Sequence, residues 1–199
     1  MRVVAGQAKG RRLRAPKGTA ARYTSDFVRK ALFDILAPWL DGARFLDLFA
    51  GVGTVGLEAA SRGAGETVLV ERDRLRVSYI ARNARETGLS EGCRIYRQDV
   101  FAAIDMLRRR GARFDVIFLD PPYNRGTAQA ALDRVGGAGL LAPDGVLVVE
   151  HGRRYTMPAA AGQLNLTRRA DYGDTSLSFY RYSEGEVPAV APGDMPGNV

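Results

Sequence analysis

The sequence contains almost none of the residues that form disulfides or soft metal sites. Among its 199 residues, Cys93 is the only cysteine and His151 is the only histidine, and we assign His151 no catalytic role. A disulfide within the chain, a cysteine-based metal cluster and a multi-histidine site are therefore excluded, and we expect no metal. No apolar run approaches the roughly 18 residues that span a bilayer, and no apolar segment follows the basic start. We expect a cytoplasmic protein.

Positive charge is concentrated near the start of a chain whose formal net charge is +7. Asp26 is the only acidic residue among the first thirty positions. Such a basic arm favours phosphate-rich partners, because each bound phosphate releases counterions. We predict that the arm contacts nucleic acid and is not merely a solvated surface. The residues predicted to bind RNA are Arg2, Lys9, Arg11, Arg12, Arg14 and Arg22.

Short apolar segments alternate with helical segments from residue 44 onward. The predicted strands span 45–49, 67–70, 93–96, 114–119, 145–149, about 164–170 and 176–182, the last two as an antiparallel pair. This alternation indicates an α/β fold, with helices on both faces of a mostly parallel sheet. Ligands in such sheets bind at the carboxyl ends of the strands.

The length of the chain suits one domain, which we place at 1–182. Residues 1–40 are predicted to form a basic β-hairpin, with strands at 2–5 and 12–15, and a helix that begins at Ser25 or Asp26. Residues 44–182 are predicted to form the α/β core. Residues 183–199 are rich in proline, glycine and acids, which predicts a disordered tail.

A glycine-rich segment follows the first predicted strand. Gly51, Gly53 and Gly56 allow the backbone to turn tightly beside a ligand, and Glu71 lies where such sites hold ribose hydroxyls. This spacing is typical both of NAD sites and of S-adenosylmethionine sites. Asp47 favours S-adenosylmethionine, because a carboxylate there attracts the cationic amino group of the methionine moiety and repels a pyrophosphate.

Two acids in this region each have a structural alternative. Asp99 follows the third strand and can accept a hydrogen bond from an adenine amino group, or it can cap the helix that begins at Val100. Asp47 can stabilise the glycine loop instead of meeting a ligand. The sequence leaves both alternatives open.

The segment Asp120-Pro121-Pro122-Tyr123 follows an apolar strand and is the most specific signal in the chain. The prolines fix the backbone, and their missing N–H groups leave carbonyls without internal competition. An exocyclic amine of a base is a weak nucleophile that needs such acceptors. If Asp120 and the Pro121 carbonyl accept its two hydrogens, its lone pair faces a methyl donor. Tyr123 would stack on the base. The alternative is a Pro-Pro turn beside a helix-capping acid.

This segment resembles the Asp/Asn-Pro-Pro-aromatic motif of amino-group methyltransferases. More closely, residues 1–182 resemble the RsmD-like family, the 16S rRNA guanine-N2 methyltransferases. The likeness rests on Arg2-Val3-Val4-Ala5-Gly6, Lys9-Gly10-Arg11-Arg12-Leu13, Thr24-Ser25-Asp26 with Val28-Arg29, Leu32 and Phe33, and Tyr172-Gly173-Asp174-Thr175.

The resemblance implies a Rossmann-like class I methyltransferase with a seven-stranded sheet and S-adenosylmethionine as donor. The implied target is the N2 amine of guanine 966 of 16S rRNA, in the small subunit or a precursor, and the enzyme would be a monomer. Asp120 to Tyr123 would hold the guanine, and the basic arm would bind rRNA. The implied cofactor positions are Asp47, Phe49, Ala50, Gly51, Gly53, Glu71, Arg72, Asp99 and Val100, with Thr24 and Asp26 bordering both pockets.

The chain departs from the family pattern at two positions: Tyr23 stands where proline follows arginine, and Lys30 stands where glutamate is usual. Three competing functions remain open on the sequence. An NAD-dependent oxidoreductase explains the glycines but not the Asp120 motif, and a non-catalytic RNA-binding or assembly module leaves that motif without a use. An adenine-N6 methyltransferase fits the motif equally well, since both bases present an amino group.

Overall fold

The fold is built on one eight-stranded sheet. The structure is a computed structural model that describes residues 1–16, 24–122 and 125–183. The strands are β1 (Arg44–Asp47), β2 (Glu66–Glu71), β3 (Cys93–Arg97), β4 (Phe114–Leu119), β5 (Leu141–Gly152), β6 (Ala160–Ala161), β7 (Leu164–Tyr172) and β8 (Thr175–Tyr182). They lie in the order β3-β2-β1-β4-β5-β8-β7-β6. Strands β1 to β5 are parallel, and β8, β7 and β6 continue the sheet in antiparallel pairs.

Helices pack against both faces of the sheet. In the described part of the chain they are α1 (Asp26–Leu36), α2 (Thr54–Ser61), α3 (Arg74–Thr87), α4 (Val100–Arg109) and α5 (Arg125–Ala138). Leu32 of α1 and Val55 of α2 pack on one face, and Ile104 of α4 and Leu132 of α5 pack on the other. The predicted α/β architecture is therefore confirmed. None of the helices among these residues is long and apolar enough to cross a membrane.

Within the residues that the structure describes, the sheet has eight strands, and the expectation of seven was wrong. The additional strand β6 is two residues long and pairs Ala160 with Asn165 and Ala161 with Leu164. Two residues are too few to show the alternation by which a strand is recognised in a sequence. The antiparallel pair that was predicted for the end of the core is confirmed as β7 and β8.

Two helix starts are set by different capping residues. Ser25 caps α1, because its Oγ accepts a hydrogen bond from the backbone N–H of Val28 at 3.2 Å. Ser25 is one of the two residues predicted to begin this helix. Helix α2 begins at Thr54. Gly53 adopts a left-handed conformation with φ of 86°, so the loop passes directly into the helix.

The predicted N-terminal hairpin is reduced to a single antiparallel bridge between Arg2 and Arg12. The backbone N–H groups of Val4 and Ala5 donate instead to the carboxylate of Glu58, at 2.7 and 2.9 Å. Because Glu58 of helix α2 accepts from these donors, Val4 and Ala5 cannot continue the ladder from the bridge between Arg2 and Arg12. The expectation of two short strands was therefore wrong in extent, although the two segments do lie side by side.

A buried ion pair joins the N-terminal segment to α1 and α2. Arg29 and Glu58 are both fully buried, and Arg29 Nε lies 3.5 Å from Glu58 Oε2. Glu58 also accepts from Arg62 Nε at 2.8 Å, while Arg29 Nη2 donates to the Arg2 carbonyl at 2.6 Å and to Asp26 at 2.8 Å. Each charge is thus surrounded by several partners, as a buried charge requires.

We expect Glu58→Ala to lower the free energy of unfolding by about 3–5 kcal/mol, because it leaves Arg29 buried without its carboxylate partner. Urea denaturation of the purified protein measures this loss. Glu86→Ala is the matched control, since Glu86 also contacts the N-terminal segment, through Arg14 at 2.8 Å, but lies at the surface. Its loss should be much smaller. Equal losses in the two variants would contradict the role given to the buried pair.

Candidate active site

Three carboxylates meet at the carboxyl ends of neighbouring parallel strands. Asp47 ends β1, Asp120 directly follows β4, and Glu150 lies near the end of β5. The strands are in register, with Asp47 opposite Phe118 and Leu119 opposite Val149. Because alternate residues share a face, the three acids lie on the face of the sheet that α1 and α2 cover.

Burial raises the pKa of all three acids. Desolvation is the main cause for Asp47 and Glu150, and it raises the pKa of each to about 7. The pKa of Asp120 is also raised well above its usual value, first by desolvation and then by the negative charges of Glu150 and Asp47. Crowded acids hold protons more tightly than isolated acids. The cluster is therefore a site that a cation would stabilise.

Asp47 has one satisfied and one unsatisfied oxygen. Its Oδ2 accepts the backbone N–H of Gly56 at 3.0 Å. Its Oδ1 is buried and has no hydrogen-bond partner among the residues that the structure describes. Leaving a buried charged oxygen unpaired is costly, so this atom points to a ligand that supplies a donor or a positive charge. One oxygen of Asp47 thus stabilises the glycine loop, which is the structural alternative, and the predicted contact of Asp47 with a ligand stays a prediction.

Glu71 shapes the glycine loop. Its Oε2 accepts the backbone N–H of Gly51 at 3.0 Å, and its Oε1 accepts that of Asp73 at 2.9 Å. Each carboxylate oxygen has a second lone pair, which leaves the predicted contact with ribose hydroxyls possible. Gly51 and Gly53 both have positive φ, at 58° and 86°, which favours glycine at these positions.

The other predicted cofactor positions differ in how exposed they are to solvent. Asp99 caps α4, because its Oδ1 accepts from the backbone N–H of Phe101 at 2.9 Å, which is the structural alternative that the sequence left open. Asp99 is also exposed, so the predicted adenine contact stays a prediction. The remaining positions range from buried Ala50 and Val100, through partly buried Phe49, to exposed Arg72.

Thr24 belongs to the acidic cluster, whereas Asp26 contacts a different group. Thr24 is buried, and its Oγ1 donates to Glu150 Oε2 at 2.8 Å. Asp26 is half exposed and accepts from Arg29 at 2.8 Å. Of the two residues predicted to border the pockets, the structure brings only Thr24 into hydrogen-bond contact with the acids.

A cavity of about 310 Å³ lies beside the Asp120 motif. Its walls include Pro121, Pro122, Glu150 and residues 154–157. This volume falls in the range of small-molecule pockets. Tyr123 lies outside the described residues, as does the side chain of Arg125, so the predicted stacking by Tyr123 stays a prediction.

Sequence reasoning missed Glu150 and the cavity wall at 154–157. The available signal was the acid that follows the predicted strand 145–149, which a parallel sheet brings to the edge where Asp120 lies. The neighbouring His151 has both ring nitrogens engaged, with Ser178 Oγ at 2.8 Å and the Gly152 carbonyl at 3.0 Å. This arrangement agrees with a structural role for His151.

The basic arm lies on the surface of α2 and α3. The predicted RNA-binding residues that the structure describes are all exposed: Arg2, Lys9, Arg11, Arg12 and Arg14. Arg14 pairs with Glu86 at 2.8 Å, and Arg11 donates to the Glu86 carbonyl at 3.0 Å. Arg22 lies outside the described residues, together with Lys17 and Tyr23.

The end of the arm lies next to the glycine loop. Asn83 Nδ2 donates to the carbonyls of Arg14 and Val52, both at 3.0 Å. Asn83 Oδ1 also accepts the backbone N–H of Arg14 at 2.8 Å. A buried asparagine therefore joins the basic segment to the loop that follows β1.

The sheet, the glycine loop after β1 and the acidic strand ends define a Rossmann-like class I methyltransferase, as the sequence predicted. The chain is similar to the solved structure of yhhF from Escherichia coli, itself a provisional methyltransferase. The TM-score is 0.81 at 31% identity, and the match covers 92% of this chain and 98% of that chain.

Residues 1–181 match the family described as "Conserved hypothetical protein 95", and the chain belongs to this family. It is similar to YlbH of Bacillus subtilis, provisionally an rRNA methyltransferase, at 38% identity over 91% of this chain and 98% of the relative. It is also similar to ribosomal RNA small subunit methyltransferase D of Escherichia coli, at 32% identity over 95% of this chain and 94% of the relative. The resemblance to the RsmD-like family is thereby confirmed.

We expect Asp47→Asn to stabilise the ligand-free protein at pH 8, by on the order of 1–3 kcal/mol. In the folded protein the pKa of Asp47 is about 7, whereas the pKa of an aspartate in the unfolded chain is about 4. Wild-type stability therefore falls as pH rises between these values, and the variant lacks this loss.

Urea denaturation at pH 5 and pH 8 measures the effect as the difference between wild type and variant. The surface substitution Asp105→Asn is the control and should not reproduce the pH-dependent gain. An Asp47→Asn protein no more stable than wild type at pH 8 would contradict the unfavourable burial of this carboxylate.

Proposed function

We propose that this protein transfers a methyl group from S-adenosylmethionine to the N2 amine of a guanine in 16S rRNA, at the position of guanine 966. The observation that carries the proposal is the acidic cluster, in which Asp47 has an unsatisfied buried oxygen and Asp120 precedes two prolines at a cavity. The substrate would be the small ribosomal subunit or a precursor, in the cytoplasm, and the protein would act as a monomer. The name of the E. coli relative, a small subunit rRNA methyltransferase, supports this substrate.

The residues around the glycine loop fit the proposed donor. Asp47 Oδ1 would accept a hydrogen bond from the amino group of the methionine moiety of S-adenosylmethionine. Glu71 would accept hydrogen bonds from the ribose hydroxyls of the same molecule. Bound S-adenosylmethionine supplies an electrophilic methyl group on a positively charged sulfur. A buried carboxylate beside the glycine loop disfavours the pyrophosphate of NAD, which separates this proposal from an oxidoreductase.

Asp120 and the Pro121 carbonyl would hold the acceptor amine. Each would accept one hydrogen from the NH2 group, which keeps its lone pair directed out of the base plane. When the nitrogen gains the methyl group it must lose one proton, which Asp120 would accept. The raised pKa of Asp120 suits this step, because a carboxylate that binds a proton more tightly is a better proton acceptor.

We expect Asp120→Ala to lower methyl transfer to small ribosomal subunits by at least about a hundredfold, because the amine loses its acceptor. Labelled S-adenosylmethionine measures the rate, and mass spectrometry of the digested rRNA identifies the product as N2-methylguanosine. Asp105→Ala is the matched control, since Asp105 lies on α4 and pairs with Arg134 at the surface. An undiminished rate in Asp120→Ala, or a product of N6-methyladenosine, would overturn the proposal.

We expect simultaneous replacement of Arg2, Lys9 and Arg12 by alanine to weaken binding of the small subunit. None of the three forms an ion pair with any carboxylate that the structure describes, so all are available for phosphates. The slope of log affinity against log salt should fall by about 0.7–0.9 for each lost phosphate contact. The control replaces three other arginines, Arg108, Arg109 and Arg110, by alanine. These residues lie at the carboxyl end of α4. An unchanged salt slope would remove the arm from the RNA-binding surface.

A further inference from the structure

We propose that Glu150 selects guanine over adenine, by accepting a hydrogen bond from the ring N1–H that guanine has and adenine lacks. This inference deepens the proposed function and rests on it. It assigns the base discrimination, which the Asp120 motif cannot provide, to a residue on the neighbouring strand.

The position of Glu150 suits a contact with the edge of a base. Glu150 lies on β5, one residue after Val149, whose partner Leu119 immediately precedes Asp120. Glu150 therefore lies beside Asp120 at the same level of the sheet, and it lines the cavity together with Pro121 and Pro122. In guanine, N1–H and the N2 amine are adjacent on one edge. A base whose amine is held by Asp120 therefore presents N1 to the neighbouring wall.

The hydrogen bonds of Glu150 leave one oxygen for a ligand. Thr24 Oγ1 donates to Oε2 at 2.8 Å, which fixes the orientation of a side chain that is only 4% exposed. Oε1 accepts no hydrogen bond from the described residues. A carboxylate oxygen that a bound base shields from water needs a donor, and a ring N–H supplies one. The bare N1 of adenine would place a lone pair against the same oxygen.

The charge of Glu150 strengthens this discrimination. Desolvation raises the pKa of Glu150, and the hydrogen bond from Thr24 offsets part of this rise. The resulting pKa is about 7. Above that pH the group is ionised and can only accept, so it favours a base that donates. Sites that hydrogen-bond a substrate group reject analogues that lack the group far more strongly than apolar pockets reject an extra methylene.

The test uses a base that keeps the methyl-accepting amine but loses N1–H. 2-Aminopurine has the same 2-amino group as guanine, and its N1 is an acceptor. Small subunits are reconstituted with guanine or 2-aminopurine at the nucleotide that the wild-type protein methylates. Methyl transfer is then measured at pH 8 with wild type and with Glu150→Gln. A glutamine can still accept from Thr24, so the fold is retained, and its amide can donate to an unprotonated N1.

We expect wild type to prefer guanine by at least about a hundredfold and Glu150→Gln to prefer it by less than about tenfold. Because 2-aminopurine also lacks the guanine O6, the readout is the change in this preference between the two proteins. Glu66→Gln is the matched control, since Glu66 pairs with Arg44 and Arg94 at the amino end of β2. It should keep the wild-type preference.

The other outcomes separate this inference from the proposed function. If wild type forms N2-methylguanosine and Glu150→Gln retains the full preference, the inference is wrong and the proposed function stands. Weaker S-adenosylmethionine binding with an unchanged preference would likewise overturn it, because Glu150 would then serve the donor. If wild type forms no N2-methylguanosine, the proposed function and the inference both fail.

Discussion

The accumulation of negative charge at the ends of β1, β4 and β5 is the constraint on which the site depends. Asp47 and Glu150 are buried close enough to Asp120 to raise its pKa, and Asp47 retains an unsatisfied oxygen. Such an arrangement destabilises the ligand-free fold, because buried like charges repel and are poorly hydrated. A bound cation would relieve this repulsion. The donor that we propose carries positive charge on both its sulfur and its amino group.

The buried pair of Glu58 and Arg29 shows the opposite use of a buried acid. Glu58 has two backbone donors and two arginines around it, so its charge is compensated within the protein. This interaction joins the N-terminal segment to the face of α2, while Asn83 joins the end of the same segment to the glycine loop. The proposed RNA-binding arm is thus attached to the elements that flank the glycine loop. Glu58 stabilises the scaffold, whereas the three acids at the strand ends form no ion pair with any residue that the structure describes.

The parts of the fold that the sequence predicted are those encoded by neighbouring residues. The alternation of strands and helices, the cap at Ser25 and the terminal antiparallel pair follow from local periodicity and local hydrogen bonds. The N-terminal hairpin was wrong in extent because the donors of Val4 and Ala5 bind a glutamate more than fifty positions away. The eighth strand was missed because its two residues carry no periodicity.

The chemistry that the sequence determined is likewise contiguous: Asp47 with its glycines, and Asp120 with its two prolines, each form one segment. Only the tertiary structure brought Glu150 into the site, where one hydrogen bond joins it to Thr24, 126 positions away in the sequence. The physical reason is the order of the strands. Placing β1, β4 and β5 side by side brings three distant acids to one edge, and no local pattern records which strands are neighbours.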